Sequence, residues 1–320
     1  MKNNKLVIVG VGHVGSQVLT DALALNLFAE IAVIDQDREK AEGEALDGSH
    51  ITPFTYCPNT ELYAADYDTC KDADVIIVAA GPSVQKDAQF QDRGTLIGKN
   101  VSVIREVMAG ISNYTKDAII IFITNPLDSM VYLAGNFFDY PKNRIFGTGT
   151  CLDSARFRKI VANKYGVDPK SVHGYMLGEH GSTAFPVWSL LNIEGIGINR
   201  LDDYFSLDTP LDKEQIAQNV VETGFDILHL KGWTNSGVAM AACTLAKAVM
   251  LDEHSIFPVS TTLNGEYGLS EVALSLPCVI GRQGVEKRLA VPLDEDELGK
   301  LRATADSIRG TMKIGGLIKS

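Results

Sequence analysis

Positive charge is what this 320-residue sequence is short of: 29 Lys and Arg stand against 40 Asp and Glu, a formal net charge of −11. That balance opposes a phosphate backbone, so no nucleic-acid partner is expected, although a local basic patch can still hold a small anion. Long apolar runs are missing too. The most apolar stretches, Val75 to Ala80 and Ala118 to Thr124, have the length of buried strands and not of a membrane span. Proline is scarce at 11 residues, and with 45% hydrophobic and 22% charged residues the composition is that of an ordinary globular chain. Five cysteines, at 57, 70, 151, 243 and 278, show neither metal-ligand spacing nor the density of a disulfide scaffold, and their odd number leaves at least one thiol unpaired. Reduced, structural cysteines and no metal are expected. Met1-Lys2-Asn3-Asn4-Lys5 leads straight into a strand-like segment without a cleavage-site signature, so a cytosolic protein is the expectation.

What is present is alternation. Lys5 to Gly10 is a short apolar run, Val14 to Phe28 follows in helical rhythm, and Ile31 to Ile34 is a second strand ending at Asp35. The pattern predicts a helix over Glu39 to Asp47, a third parallel strand over Asp74 to Ala80, a helix over Leu96 to Met108 and a strand over Ala118 to Thr124. A further βα step around Ser129 to Asn136, before Ile145 to Gly147, completes an open parallel α/β sheet. Beyond 147 the pattern changes. Helices are predicted at Ala155 to Tyr165, Lys213 to Leu230 and Gly237 to Leu251, the last apolar on nearly all sides and so buried between neighbours or under a subunit interface. Short strands between Ile256 and Val291, with turns at Asn264-Gly265 and Arg282-Gln283-Gly284, predict antiparallel hairpins, and Asp294 to Met312 an amphipathic last helix. The expected fold is α/β, a parallel-sheet domain over 1–147 followed by an α+β domain over 148–320.

Gly10-Val11-Gly12-His13-Val14-Gly15 follows the first strand and opens a helix. In that context the glycines permit a tight turn, approach of backbone to a pyrophosphate and close helix-sheet packing, the fingerprint of a Rossmann-type dinucleotide site. Asp35 lies 20 residues after Gly15, where a carboxylate can accept ribose hydroxyls. The same carboxylate repels a 2′-phosphate, which favours NAD over NADP, with Arg38 nearby weakening the inference. Gly81 and Thr124-Asn125-Pro126 close two further strands on the side where such sheets bind ligands. Gly81 can let the chain pass the cofactor or simply turn before Pro82; Asn125 can bond substrate or nicotinamide, or form an ordinary Asn-Pro turn.

His180 sits in Leu177-Gly178-Glu179-His180-Gly181, and alone it reads as a structural histidine as readily as a proton carrier. Asp153 and Arg156, three residues apart, share one helix face: the carboxylate can orient the His180 ring and the guanidinium can grip a substrate carboxylate, or the two can form a plain ion pair. Arg93 ends a polar, non-periodic segment after a strand, either as a loop residue that closes on a carbonyl or as a solvated arginine.

Taken in order, Gly10-Gly12-Gly15, Asp35, Thr124-Asn125-Pro126, Asp153-Ser154-Ala155-Arg156 and Gly178-Glu179-His180-Gly181 closely resemble the L-lactate/malate dehydrogenase family, from the first strand to the last helix. The resemblance implies an NAD-dependent interconversion of 2-oxo and L-2-hydroxy acids. It implies His180 as acid/base, Asp153 as its orienting carboxylate, Arg93 as carbonyl polariser, Arg156 as carboxylate clamp and Asn125 at the reacting centre. Thr234 would wall the substrate side chain. Ser182 stands where the family commonly has an acidic residue. The loop from Gly81 to Arg93 is longer than the usual lactate-enzyme loop and resembles that of L-2-hydroxyisocaproate dehydrogenases, which take bulkier side chains. The malate branch places an arginine early in this loop, where this chain has Gln85 and Lys86; Lys86 can mimic part of that role. The pattern as a whole is most like the lactate branch, with pyruvate as the leading substrate. Arg158 and His173 match basic positions that allosteric bacterial members use for fructose 1,6-bisphosphate, or else are a solvated helix residue and a strand-start residue. A homotetramer is expected, with a dimer as the alternative.

Overall fold

The computed structural model describes residues 4–54, 58–82, 93–205, 207 and 209–319, with the side chains of 93–95 outside that description. In the first half β1 (Lys5–Val9), α1 (His13–Ala24), β2 (Glu30–Ile34), α2 (Arg38–Ser49), β3 (Glu61–Ala64), β4 (Val75–Val78), α3 (Arg93–Ser112), β5 (Ile119–Phe122), α4 (Leu127–Phe137) and β6 (Ile145–Gly147) follow one another. The second half contains α5 (Cys151–Tyr165), five two-residue strands, namely β7 (Val172–His173), β8 (Met176–Leu177), β9 (Phe185–Pro186), β10 (Asn192–Ile193) and β11 (Ile196–Gly197), then α6 (Lys213–Lys231) and α7 (Ser236–Leu251). It ends with β12 (Ser255–Thr262), β13 (Ala273–Gly281), β14 (Gly284–Arg288) and α8 (Glu295–Ile314).

Strands β3-β2-β1-β4-β5-β6 lie side by side and parallel, the doubly wound order in which ligands bind beyond the carboxyl ends of the strands. The two-residue period of a strand sends alternate side chains to opposite layers. Val7, Val9, Ile76 and Val78 join α3, α4 and α8 through Ile104, Leu133 and Ile308, while Leu6, Ile8, Val75 and Ile77 join α1 and α7 through Val18, Leu19 and Leu245. All four β4 side chains are wholly buried. Burying each contributes about 1.5–3 kcal/mol, which is why unbroken Val/Ile sequence, and no polar alternation, marks a strand covered on both faces.

The segment at 75–78 is the fourth parallel strand, not the third. The pattern gives no sign of β3, because Glu61 is exposed and Leu62, Tyr63 and Ala64 are only half buried at the sheet edge. The hairpin strands also do something the sequence does not announce: β12 pairs antiparallel with β6, Ser260 opposite Gly147, and extends the parallel sheet to nine strands. Gln283 lies in the tight turn joining β13 and β14, whereas Asn264-Gly265 opens a longer connection to β13. A third core, with Phe157 and Val161 of α5 against Ile216 and Val220 of α6, supports the second half. Helix α7 buries Ala239, Ala242, Cys243 and Leu245 but leaves Met240 and Leu251 about half exposed.

Candidate active site

The glycines after β1 divide into two kinds. Gly10 has φ +91°, and a Cβ on it would lie 2.5 Å from the Ala80 backbone; a Cβ on Gly15 would lie 1.8 Å from the Gly10 carbonyl oxygen. Both are required by the packing of the loop and α1 on the sheet. Gly12 is different, since a Cβ there meets nothing within 4 Å. It caps α1 without a side-chain hydrogen bond, so the open space beside it is bounded by helix N–H groups, the cradle an anionic pyrophosphate fits. His13 and Val14 begin that helix, and the His13 ring stacks on Trp233 at 4.1 Å. Gly12→Ala is therefore expected to leave thermal stability within about 0.5 kcal/mol of the parent while weakening NADH binding at least about tenfold, an affinity loss near 1.4 kcal/mol. Gly15→Ala, which forces backbone apart, is expected to cost about 1–3 kcal/mol. Denaturant titration alongside NADH fluorescence titration checks both.

Asp35 ends β2 and reaches back to the glycine loop: Oδ2 accepts the Val11 N–H at 2.8 Å and Oδ1 the Asp37 N–H at 3.0 Å. Both oxygens are thereby held in place, with lone pairs left for ribose hydroxyls. Arg38 is turned elsewhere, bonding Glu42, Asp66 and the Ala64 carbonyl, and so is already committed away from a 2′-phosphate. The residues fit NAD.

Two more strand ends complete the crevice. Gly81, after β4, has φ +126°, and after β5 the Asn125-Pro126 peptide is cis. Thr124 Oγ1 donates to the Ala80 carbonyl at 2.7 Å, tying the two ends together. Asn125 exposes its side chain, and its carboxamide has no hydrogen-bond partner among the described residues. Asn100 of α3, which sequence reading passes over, is the clamp. Its Nδ2 donates to the Pro82 and Asn125 carbonyls at 3.2 and 2.6 Å, and its fully buried Oδ1 has no partner among the described residues. A Cβ at Gly81 would sit 2.4 Å from that oxygen, so glycine at 81 and asparagine at 100 are one arrangement.

His180 is presented by a loop pinned residue by residue. Gly178, at φ +90°, exchanges two backbone hydrogen bonds with Ser275 of β13; the Glu179 N–H donates to Thr304 Oγ1 of α8 at 3.2 Å; the His180 N–H donates to Asp128 Oδ2 of α4 at 2.8 Å. The His180 ring then lies with Nδ1 2.7 Å from Asp153 Oδ2, its N–H donating to the carboxylate. Arg156 Nη1 donates to the other oxygen, Asp153 Oδ1, at 3.2 Å. The side chains of His180, Asp153 and Arg156 are only 22%, 9% and 14% exposed, so these charges interact through little solvent. Burial by itself opposes charge on all of them, yet the Asp153 carboxylate beside the ring holds His180 above the usual imidazole range. His180 and Arg156 together, against the same burial, hold Asp153 below the usual carboxylate range. The remaining imidazole nitrogen, Nε2, has no hydrogen-bond partner among the described residues.

Thr234 is half buried two residues before α7, after the left-handed Gly232 that ends α6. Arg93 begins α3, but its side chain lies outside the described residues, as do Gln85 and Lys86 altogether. Arg158 and His173 line one cavity of about 310 Å³ with Cys151, Tyr175, Met240 and Ile256, and neither His180 nor Asp153 takes part in that lining. Gly224, in the middle of α6, was also missed; a Cβ there would lie 3.3 Å from Arg156 Nη1, so its lack of a side chain makes room for the guanidinium. The only signal was a glycine inside a helix, where it costs about 1 kcal/mol relative to alanine.

Two family models match this chain, the lactate/malate dehydrogenase NAD binding domain over residues 4–147 and the lactate/malate dehydrogenase alpha/beta C-terminal domain over 150–316. The chain belongs to the lactate/malate dehydrogenase family. It is 51% identical over 310 residues to L-lactate dehydrogenase 2 of Clostridium acetobutylicum, covering 97% of each chain, and 44% identical over 313 residues to L-lactate dehydrogenase of Selenomonas ruminantium, covering 98% of each. Among solved structures it is similar to the minor L-lactate dehydrogenase of Enterococcus mundtii in a ligand-bound form, at 30% identity and a TM-score of 0.91 over 98% of each chain. The glycine loop, Asp35 and the two strand ends lie in the stretch matched by the NAD binding domain, and Asp153, Arg156 and His180 in the stretch matched by the C-terminal domain. The His180 loop is nonetheless pinned by both, through Asp128 on one side and Ser275 and Thr304 on the other.

Proposed function

We propose that this chain is an NAD-dependent L-lactate dehydrogenase, with residues 1–147 holding cofactor and 148–320 holding substrate, and that it reduces pyruvate with His180 as proton donor. The observation that carries this reading is the buried Asp153 carboxylate shared between His180 and Arg156. Arg156 keeps most of its guanidinium fork for the substrate carboxylate, which places the 2-oxo carbon next to the His180 ring. Asp153 fixes the tautomer so that Nε2 carries the proton delivered to the carbonyl oxygen, and it favours the imidazolium before that transfer. Asn125 donates its carboxamide N–H to the same oxygen, Arg93 polarises it from the loop, and Thr234 walls the side chain. When bound, NADH supplies the hydride. Gln85 and Lys86, in place of an early arginine, favour an apolar substrate side chain over a second carboxylate.

The assembly proposed is a homotetramer. Exposed Met240 and Ile256 beside the cavity of Arg158 and His173 support a subunit contact there and an anionic effector, fructose 1,6-bisphosphate, between subunits. The described cysteines, Cys70, Cys151, Cys243 and Cys278, are all unpaired, which supports a reducing compartment such as the cytosol. NADH oxidation with pyruvate, oxaloacetate, 2-oxoisocaproate and phenylpyruvate, each with and without the bisphosphate, tests the substrate and effector readings together. Pyruvate is expected to have the highest kcat/KM and the bisphosphate to raise it. A higher value for 2-oxoisocaproate would move the reading to a hydroxyisocaproate dehydrogenase; no turnover with any of the four in an NADH-binding protein would end it. Equal kinetics over a broad range of effector would remove the regulatory site.

A further inference from the structure

His180 is approached by a second carboxylate. Asp128, in the first turn of α4, is 2% exposed; Oδ2 accepts the His180 N–H at 2.8 Å and Oδ1 accepts the Ser260 hydroxyl of β12 at 2.6 Å. No lysine or arginine pairs with it among the described residues. A carboxylate so placed is out of water with two donors and no fixed cation, and the positive charge nearest its chemistry is the one His180 acquires on protonation.

We propose that Asp128 is a positioning residue that governs how firmly His180 holds its proton: ionised, it anchors the loop backbone and favours the imidazolium; protonated, it withdraws that charge, so the two groups titrate as a pair. This rests on the reading of His180 as proton donor. The groups facing the pair are Asp153 and Arg156 from α5, Ser260 from β12 and Glu179 from the loop itself, whose carboxylate is bonded by Thr183. Burial pushes the Asp128 carboxyl up to about 7; the Ser260 and His180 donors and the His180 charge oppose that rise, and the Glu179 charge adds to it. The sign follows. As pH rises through that value Asp128 becomes negative, and the new charge keeps His180 protonated to higher pH than a neutral neighbour would, widening the range over which a carbonyl can be reduced.

The decisive variant is Asp128→Asn in the full chain, because an amide oxygen can still accept the His180 N–H while the charge is gone. Expected are an unchanged NADH affinity, a fall of about one pH unit in the His180 imidazole titration followed by NMR, and the same displacement in the pH profile of pyruvate reduction. Ser260→Ala removes a donor that favours the ionised carboxyl, so it should move both readouts in the same direction by less. It decides the matter if Asp128→Asn does not fold. An imidazole titration that stays in place in the folded variant overturns the proposal, whatever happens to kcat. Normal turnover in His180→Asn would instead contradict the proton-donor reading itself, so the two failures are separable.

Discussion

His180→Asn is expected to bind NADH as the parent does and to reduce pyruvate about a thousandfold more slowly, within the range that general acid–base catalysis contributes. The expectation comes from how little else His180 does. Its backbone, and not its ring, carries the contact to Asp128, while Gly178 and Glu179 are held independently by Ser275 and Thr304. An asparagine can still bond Asp153, so the loop keeps its course and the glycine cradle is untouched. What is lost, on the proposed mechanism, is a group that gives and takes a proton. Stopped-flow NADH oxidation, with NADH affinity measured in parallel, reads both. A thousandfold loss in affinity with a normal chemical step would place His180 in cofactor binding instead.

Arg156→Lys has the second largest effect. In the proposed reaction Arg156 serves two partners at once: Nη1 donates to Asp153, and the rest of the fork would hold the substrate carboxylate. An ammonium is a single point of charge and can satisfy one of them well. A hydrogen bond to a charged group is worth about 1.5–3 kcal/mol, so losing one predicts a fall in kcat/KM of about one to two orders of magnitude, most of it in KM for pyruvate. NADH affinity should not change. An unaltered KM for pyruvate would show that the substrate carboxylate is held elsewhere.

Legibility of this chain in its sequence followed the range of the interactions. The glycine loop, Asp35, the alternating strands and the Asp153-Arg156 spacing are local patterns, set by backbone conformation and helix periodicity over a few residues, and the sequence displays them directly. Buried strands with Val and Ile on both faces, as at 75–78, were equally plain. β3 was not, because an edge strand is covered on one side only and Glu61 to Ala64 has no strong period. Nor was the joining of β12 to β6, a pairing of Ser260 with Gly147 that no local signal encodes. The site divided in the same way. His180 and Asp153 carry chemistry in their own side chains and stand in recognisable surroundings. Asn100, Asp128 and Gly224 act only because the sheet brings α3 and α4, and the packing on α5 brings α6, to the site, and in sequence they are an asparagine, an aspartate and a glycine inside ordinary helices.

In the proposed reaction His180, raised in proton affinity by Asp153, supplies the proton in carbonyl reduction. A raised imidazole is protonated below its folded-state pKa and neutral above it. Reduction, which uses the protonated form, must therefore be level at low pH and decline above that value, and oxidation of L-lactate, which uses the neutral form, must rise over the same interval. The most direct measurement is the single-turnover rate of NADH oxidation by pyruvate as a function of pH, in the parent and in His180→Asn. The parent is expected to lose about tenfold in rate per pH unit above the imidazole titration, with the variant slow and without that step. A variant that keeps both the parental rate and the parental pH step would contradict the account.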